Sequence, residues 1–471
     1  PDNTTEKSVD FDGTDDKLAF DVAVAQAGVL ICATNNGIFA FEVDADSVDE
    51  ITALGFETGY FQDLDLFAMV LLPTTTTDTQ IAGVIKYLER ETGATKNPTG
   101  DIAHYWRSRT DLVTPKLDGV DFSGVTALVS CWQSCTSLAS FPKLDLSRGT
   151  NFSNSWRSCT ALTSFPALNL SGGTSFNSAW YGNSSLATFG ECTFSTDPDV
   201  DINFKSAWLS CQPALTTFPT LDLSRGTNFL STWYDCRNML EFPSGTTFST
   251  TATDDIDFTE AWWGCRAFTT FPALDLSRGT DFEAAWRYCV AMTSFGSCTF
   301  SDDAGDSISF FNAWRDTTSL ATFPSDLELS RGDNFHNAWW NSRIVSFPAF
   351  DLSNATTFNS AFGGNANMVS FGACNMNLGR TFYAAWYTNT ALTTFPAGVF
   401  DSWNPASVDD NCFAYAWDNC SALTATSVEN ILNSLATAGV AAPSSGVDIT
   451  IAYNASSGTP SVASAVATLK G

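Results

Sequence analysis

Leu162-Thr163-Ser164-Phe165-Pro166-Ala167-Leu168-Asn169-Leu170-Ser171 leads into Gly173-Thr174-Ser175-Phe176-Asn177-Ser178-Ala179-Trp180, and this stretch recurs from about Leu128 to Leu423. The frame is L-T-x-F-P-x-L-x-L-S-x-G-T-x-F-x-x-A-W. Its last position falls at Trp132, Trp156, Trp180, Trp208, Trp233, Trp262, Trp286, Trp314, Trp339, Phe362, Trp386 and Trp417, with gaps of 23 to 31 residues. A period of this size marks a solenoid: one coil cannot bury its own apolar face, and stacked coils bury it together.

Each position in the frame carries an expectation. Phe lies four residues before the Trp, as in Phe152, Phe176, Phe258 and Phe282. That spacing puts Phe and Trp on one face of a short helix. The residue before this Phe is of helix-capping type, such as Asn151, Ser175, Asn203 or Asp257. Phe141-Pro142-Lys143-Leu144-Asp145-Leu146 alternates with strand period, and Pro stands where its missing donor costs least. Gly149, Gly173, Gly226, Gly279 and Gly332 turn the chain back. The fold expected is an α/β repeat solenoid of leucine-rich type, about twelve coils over residues 99–425, with a strand and a short helix in each. Trp106 belongs to a degenerate first coil.

The flanks read differently. Residues 1–98 form a small β-rich domain, with strands at Gly28–Ala33, Gly37–Val43 and Leu64–Leu72 and a turn signal at Asn35-Asn36-Gly37. A closing helix is expected from Thr77 and Asp78, with Ile81, Val84, Ile85 and Leu88 on one face and Gly93 as its stop. Residues 426–471 form a helix-strand-helix cap. Its first helix starts at Thr426 with Glu429 as capping box and buries Val428, Ile431, Leu432 and Leu435. Val447–Tyr453 is the strand, and Ser461–Lys470 the second helix. The chain begins at Pro1 without Met, which fits either a trimmed initiator or a removed leader.

Charge narrows the partners. Lys and Arg number 22 against 51 Asp and Glu, a net −29 over 471 residues. Such a surface repels phosphate backbones, which excludes nucleic acid as partner. No apolar run is long enough to span a membrane. Catalysis finds no support: the chain has His104 and His336 alone, in unrelated contexts, so neither Ser-His-Asp nor Cys-His arrangements have a partner. No cofactor is expected, with calcium as the one candidate ion. Its candidate ligands lie in the acidic insertions: Asp197, Asp199 and Asp201; Asp254 and Asp255; Asp302, Asp303 and Asp306. These match no EF-hand, and solvated acidic loops explain them as well.

Seven of the 13 Cys stand three residues after the Trp: Cys135, Cys159, Cys211, Cys236, Cys265, Cys289 and Cys420. Asn183, Asn365 and Asn389 take the same phase elsewhere. A buried ladder bonding loop backbone is expected, while neighbouring coils also bring Cys135/Cys159 and Cys211/Cys236 within disulfide reach in an oxidising medium.

Directly after the Trp, the side chain points away from the core. Arg157, Tyr181, Tyr234, Trp263, Arg287, Arg315, Trp340 and Tyr387 stand in this row, the residue types that anchor interfaces and stack on sugars, with Gln133, Leu209, Gly363 and Asp418 at its other positions. They are the candidate ligand-binding residues; the bland reading is that they cover the gaps between coils. A second row, Arg148, Arg225, Arg278 and Arg331, suits salt bridges between coils.

Trp156-Arg157-Ser158-Cys159-Thr160-Ala161-Leu162 with Leu168-Asn169-Leu170-Ser171 resembles the BspA-type leucine-rich repeats of bacterial surface proteins, where M-F-x-x-C-x-x-L-x-x-L-D-L-S recurs. This chain has Trp where that family has Phe and adds Phe-Pro before the strand. Similar repeats occur in virion proteins of environmental phages, with a segment comparable to Thr426–Leu435. The resemblance implies display and adhesion rather than catalysis, at a cell surface, in the extracellular medium or on a virion. The partner implied is a host or cell-surface protein or a glycan; the alternative is a self-assembling subunit of a virion, fibre or filament. Val9-Asp10-Phe11-Asp12-Gly13-Thr14-Asp15-Asp16 is similar to the first strand of laminin-G-type, lectin-like sandwiches, which implies a capping or attachment module.

Overall fold

The computed structural model describes residues 9–11, 28–34, 37–43, 64–73, 99–110, 112–115, 121–251, 255–303, 305–439 and 449–470, and before residue 102 only the backbone. The chain divides into two units, Pro1–Arg225 and Gly226–Gly471.

The first unit opens with an antiparallel sheet of β1 (Val9–Phe11), β2 (Gly28–Thr34), β3 (Gly37–Val43) and β4 (Leu64–Pro73), in the order β1-β4-β2-β3. Thr34 pairs with Gly37, a register that leaves two residues between the hairpin strands. The helix expected between Thr77 and Gly93 lies outside the described residues.

The repeats then build a β-solenoid, with about eight turns marked by parallel strands. In the first unit Thr99–Asp101 pairs with Gly124–Ala127, and single bridges carry that side on through Ala127, Asn151, Ser175 and Asn203. A second side pairs Ser164–Phe165 with Thr188–Phe189. In the second unit Gly226–Asn228, Ile256–Asp257, Gly279–Asp281, Ile308–Ser309 and Gly332–Asn334 run parallel in sequence order. Thr270–Phe271 with Ser294–Phe295, and Ser346–Phe347 with Ser370–Phe371, form its other side.

Two expectations about the coil are corrected. The α/β type with about twelve coils fails: about eight turns carry parallel strands, and among the described residues no coil carries a helix. The Phe-to-Trp segment is a run of turns with left-handed residues at two fixed positions: Asn154 (φ 58°) and Ser158 (φ 59°) in one coil, Glu260 (φ 54°) and Gly264 (φ 69°) in another. A right-handed helix cannot contain them. The donors are committed elsewhere too. The N–H groups of Phe152, Asn154, Trp156 and Ser158 each reach the next coil, at Ser175, Asn177, Ala179 and Tyr181 carbonyls, 2.8–2.9 Å away. Those of Ser155 and Arg157 bond three residues back, to Phe152 and Asn154. The capping-type residues cap turns instead of helices: Asn151 Oδ1 accepts from Ser153 N–H (3.0 Å) and Asp257 Oδ1 from Thr259 N–H (2.8 Å). Phe and Trp still share a face, with Phe152 stacked on Trp156 at 5.9 Å.

The strand is also displaced. It lies on the residues up to Phe, not on the alternating run after Phe-Pro, which makes only single bridges such as Asn169 to Thr193 and Asp275 to Thr299. Pro ends the ladder because it has no N–H to give. Where Gly190 replaces Pro, its N–H does bond Phe165 O at 2.8 Å. Glycine is needed there, since a Cβ would sit 2.2 Å from Ala167 N.

Three aromatic columns fill the solenoid. In the first unit Trp106, Trp132, Trp156, Trp180 and Trp208 stack at 5.1–5.6 Å with planes within 6°. In the second, Trp233, Trp262, Trp286, Trp314, Trp339, Phe362, Trp386 and Trp417 stack at 5.0–5.6 Å. Columns of Phe flank them, and Trp286 meets Phe295 edge-on at 4.9 Å. Burying such rings supplies the main driving force for stacking coils. Nε1 of Trp132, Trp156, Trp180, Trp262, Trp286, Trp314, Trp339, Trp386 and Trp417 has no hydrogen-bond partner among the described residues.

The chain closes with α1 (Ala425–Ala438), which buries Val428, Ile431 and Leu435 and ends at left-handed Gly439. Its cap is Thr424, whose Oγ1 accepts from Ser427 N–H at 3.2 Å, not Thr426. Glu429 instead accepts from Ser461 N–H at 2.6 Å. Leu432 is half-buried. Of the expected strand, Val447 and Asp448 lie outside the described residues, and Ile451 makes one parallel bridge to Trp417. Helix α2 spans Ala463–Lys470. Among the described residues no helix is long and apolar enough to cross a membrane.

Candidate functional site

The residue after each core Trp is held between two turns, so its side chain leaves the solenoid where neighbouring coils present theirs. Arg157, Tyr181, Tyr234, Trp263, Arg287, Arg315, Trp340 and Tyr387 are all half-buried. Within each unit the row is one of contacts. In the first, the Arg157 guanidinium lies over the Tyr181 ring, 4.5 Å from its centre. In the second, Tyr234 stacks on Trp263 at 4.3 Å and 4°. Arg287 and Arg315 both pair with Asp316, at 3.7 and 3.3 Å. Trp340 and Tyr387 lie parallel, 9° apart with centroids at 6.4 Å.

Stacking along the row decides which surfaces remain for a partner. Tyr234 and Trp263 cover each other's facing sides, so they offer ring edges rather than a platform. Between Trp340 and Tyr387 the row position is Gly363. A Cβ there would lie 2.4 Å from Trp340 Cζ3, so the indole leans over the glycine. Gly363, Asp316 and Asn341 thus shape the row, and the repeat pattern alone does not single them out.

Carboxylates border the row. Burial, then Glu260 and Asp235, raise the Tyr234 phenol above its ordinary value. Burial first and Asp281 second raise Glu283. Burial raises Asp281 as well, against the lowering effect of the Glu283 backbone N–H. His336 rests edge-on against Phe311 at 5.1 Å, and burial, then Arg315, lower its pKa.

The cysteines form an inner rail. Cys135, Cys159 and Cys211 donate to the carbonyls of Trp106, Trp132 and Trp180 at 2.8–3.1 Å, each one coil back. In the second unit Cys265, Cys289 and Cys420 do the same to Trp233, Trp262 and Trp386 at 3.0–3.3 Å. Asn365 and Asn389 reach Trp339 and Phe362 carbonyls at 2.8 and 3.0 Å. Asn183 Oδ1 accepts from Cys159 N–H. Cys236 is buried, and none of the cysteines whose side chains are described forms a disulfide. The disulfide pairings therefore do not form in this structure. Burial pushes Cys211 and Cys420 up to about 12, and Cys289 higher, so the thiols stay protonated donors.

The acidic loops are occupied by arginine from the S-R-G turns. Arg225 donates to Pro198 O (2.7 Å) and Val200 O (3.1 Å) and pairs with Asp201 at 3.4 Å. Arg278 pairs with Asp303 and Asp306 at 3.1 and 3.8 Å, and Arg331 donates to Asp306 O. Arg148, whose neighbouring coils lack an insertion, is exposed. Asp199 N–H donates to Asp197 Oδ1, Asp255 and Asp302 are exposed, and Asp254 lies outside the described residues. Among the described residues no group of three or more His, Cys, Asp or Glu is placed to hold a metal ion.

No family model and no curated protein matches the chain.

Proposed function

We propose that the chain is a non-enzymatic binding protein that presents the row after the core Trp to a glycan or protein of a cell surface, in the manner of the surface-displayed repeat proteins its frame resembles. The observation that carries this reading is the preorganisation of the row. Stacking fixes Tyr234 on Trp263, a cation–π contact fixes Arg157 on Tyr181, and ion pairs fix Arg287 and Arg315. Side chains already held in place lose little rotamer entropy on binding, and Trp, Tyr and Arg are the types that dominate contact energetics. The net charge of −29 favours neutral or basic partners.

Replacing Trp263→Ala and Trp340→Ala together should leave the far-ultraviolet circular dichroism unchanged while abolishing retention of labelled chain on a panel of bacterial cells. Retention equal to the parent's would refute the reading.

A further inference from the structure

The row holds two pairs of the same kind, and they end differently. In the first unit Arg157 precedes Tyr181 by one coil and lays its guanidinium over the ring at 4.5 Å. In the second unit Arg315 precedes Trp340 by one coil, in the same relation, yet no guanidinium covers the indole. The residue two places after the core Trp differs. It is Ser158 beside Arg157, and Asp316 beside Arg315. The Asp316 carboxylate holds Arg315 Nε at 3.3 Å and Arg287 Nε at 3.7 Å, and accepts from Asn341 Nδ2 at 2.8 Å. Its own N–H donates to Trp340 O at 2.8 Å, which keeps this cluster beside the indole. Meanwhile Trp340 leans towards Gly363, away from Arg315, and lies parallel to Tyr387. One indole face thus looks onto Gly363 and Tyr387, and among the described residues the opposite face has neither ring nor guanidinium over it.

Resting on the binding function proposed above, we infer that this unstacked indole face is a subsite for a neutral pyranose. A sugar ring of that class has an apolar C–H face that fits a flat aromatic surface, and equatorial hydroxyls that meet planar polar groups at its rim. Arg315, 30% exposed, and the exposed Asn341 amide stand at that rim as donors. Charge selects within the class. Asp316 compensates Arg287 and Arg315, and the chain as a whole is strongly acidic, so an anionic sugar meets net repulsion. On Trp263 one face is taken by Tyr234 at 4.3 Å, and Tyr288 meets the ring edge-on at 5.2 Å.

The test is affinity electrophoresis of the full chain through gels containing a mannan, a β-glucan or a galactan, with alginate as the anionic control. At least one neutral polysaccharide should retard the chain, and alginate should not. Trp340→Ala should weaken the retardation about tenfold or more, and Trp340→Phe should recover part of it. Asp316→Ser, which reproduces the Ser158 setting and frees Arg315 to close over the indole, should weaken it too. Absence of retardation by every neutral polysaccharide, or retardation indifferent to Trp340→Ala, would overturn the inference. Cell retention that survives periodate but not protease would also overturn it while leaving the binding function intact, the partner then being a protein. Failure to bind any cell would remove both.

Discussion

The inner Trp column and the outer row use the same residue types at the same period, yet they differ in what their neighbours leave open. Trp286 lies between Trp262 and Trp314, at 5.6 and 5.2 Å, with Phe271 and Phe295 edge-on at 5.3 and 4.9 Å and nothing exposed. Trp263 has one stacked partner, Tyr234, and an edge-on Tyr288 at 5.2 Å, and it is only half-buried. Inside, every coil must present nearly the same ring, because a gap cannot be refilled in a close-packed interior. Outside, the position runs from Tyr to Arg to Gly without disturbing the main chain. Stacking alone therefore makes a scaffold. The outer stack is interrupted at Gly363 and Asp316, and the proposed binding surface lies there.

Trp286→Ala is the strongest way to break this contrast. Removing a fully buried indole should destabilise the second unit by about 3–5 kcal/mol, read from guanidinium denaturation. Trp263→Ala should cost roughly 1 kcal/mol, the worth of one exposed aromatic pair. Equal costs would mean that the outer row is structural after all. Next in size is Cys289→Ala, which leaves Trp262 O without the thiol that now donates at 3.3 Å. That carbonyl keeps the Cys265 N–H at 3.2 Å, so the loss is that of one hydrogen bond, about 0.5–1.5 kcal/mol. The same denaturation curve checks it, and a cost near zero would reduce the cysteine rail to simple packing.

Much of this architecture was legible in the chain. The Trp period set the solenoid, and the fixed phase of Cys159, Asn183 and Cys211 placed a polar rail one turn beyond the Trp. The local backbone was not legible, because i,i+4 spacing of Phe and Trp is met equally by a helix and by two successive turns. The discriminating signal was small or polar residues two places after both Phe and Trp, as in Asn154 with Ser158, Ser178 with Gly182, and Asn337 with Asn341. Those types tolerate positive φ. Ala284 with Tyr288 and Ala384 with Thr388 fall outside the Gly, Asn, Asp and Ser types that mark most positive-φ positions of the array, and they diluted the signal. For the candidate site, periodicity could tell which side chains become neighbours. It could not tell which ring faces they cover, since that depends on rotamers and on single residues such as Asp316.

The smallest effect tests that backbone directly, at a position touching the outer row and not the inner column. Thr388 follows Tyr387 and sits at φ 60°, a conformation that β-branched residues avoid. Left-handed backbone costs a non-glycine residue roughly 1–2 kcal/mol, and glycine gives back about 0.5–1 kcal/mol in chain entropy. Thr388→Gly should therefore stabilise the second unit by roughly 0.5–1 kcal/mol, as Gly264 and Gly364 already do at the equivalent place. Its N–H to Asp418 O, at 2.9 Å, is kept in the variant; the hydroxyl bond to Tyr387 O, at 2.7 Å, is lost. The midpoint of thermal unfolding decides between the two. A rise means that the turn dictates the residue, whereas a fall means that the hydroxyl, by tying down the Tyr387 carbonyl, helps hold the outer row in place.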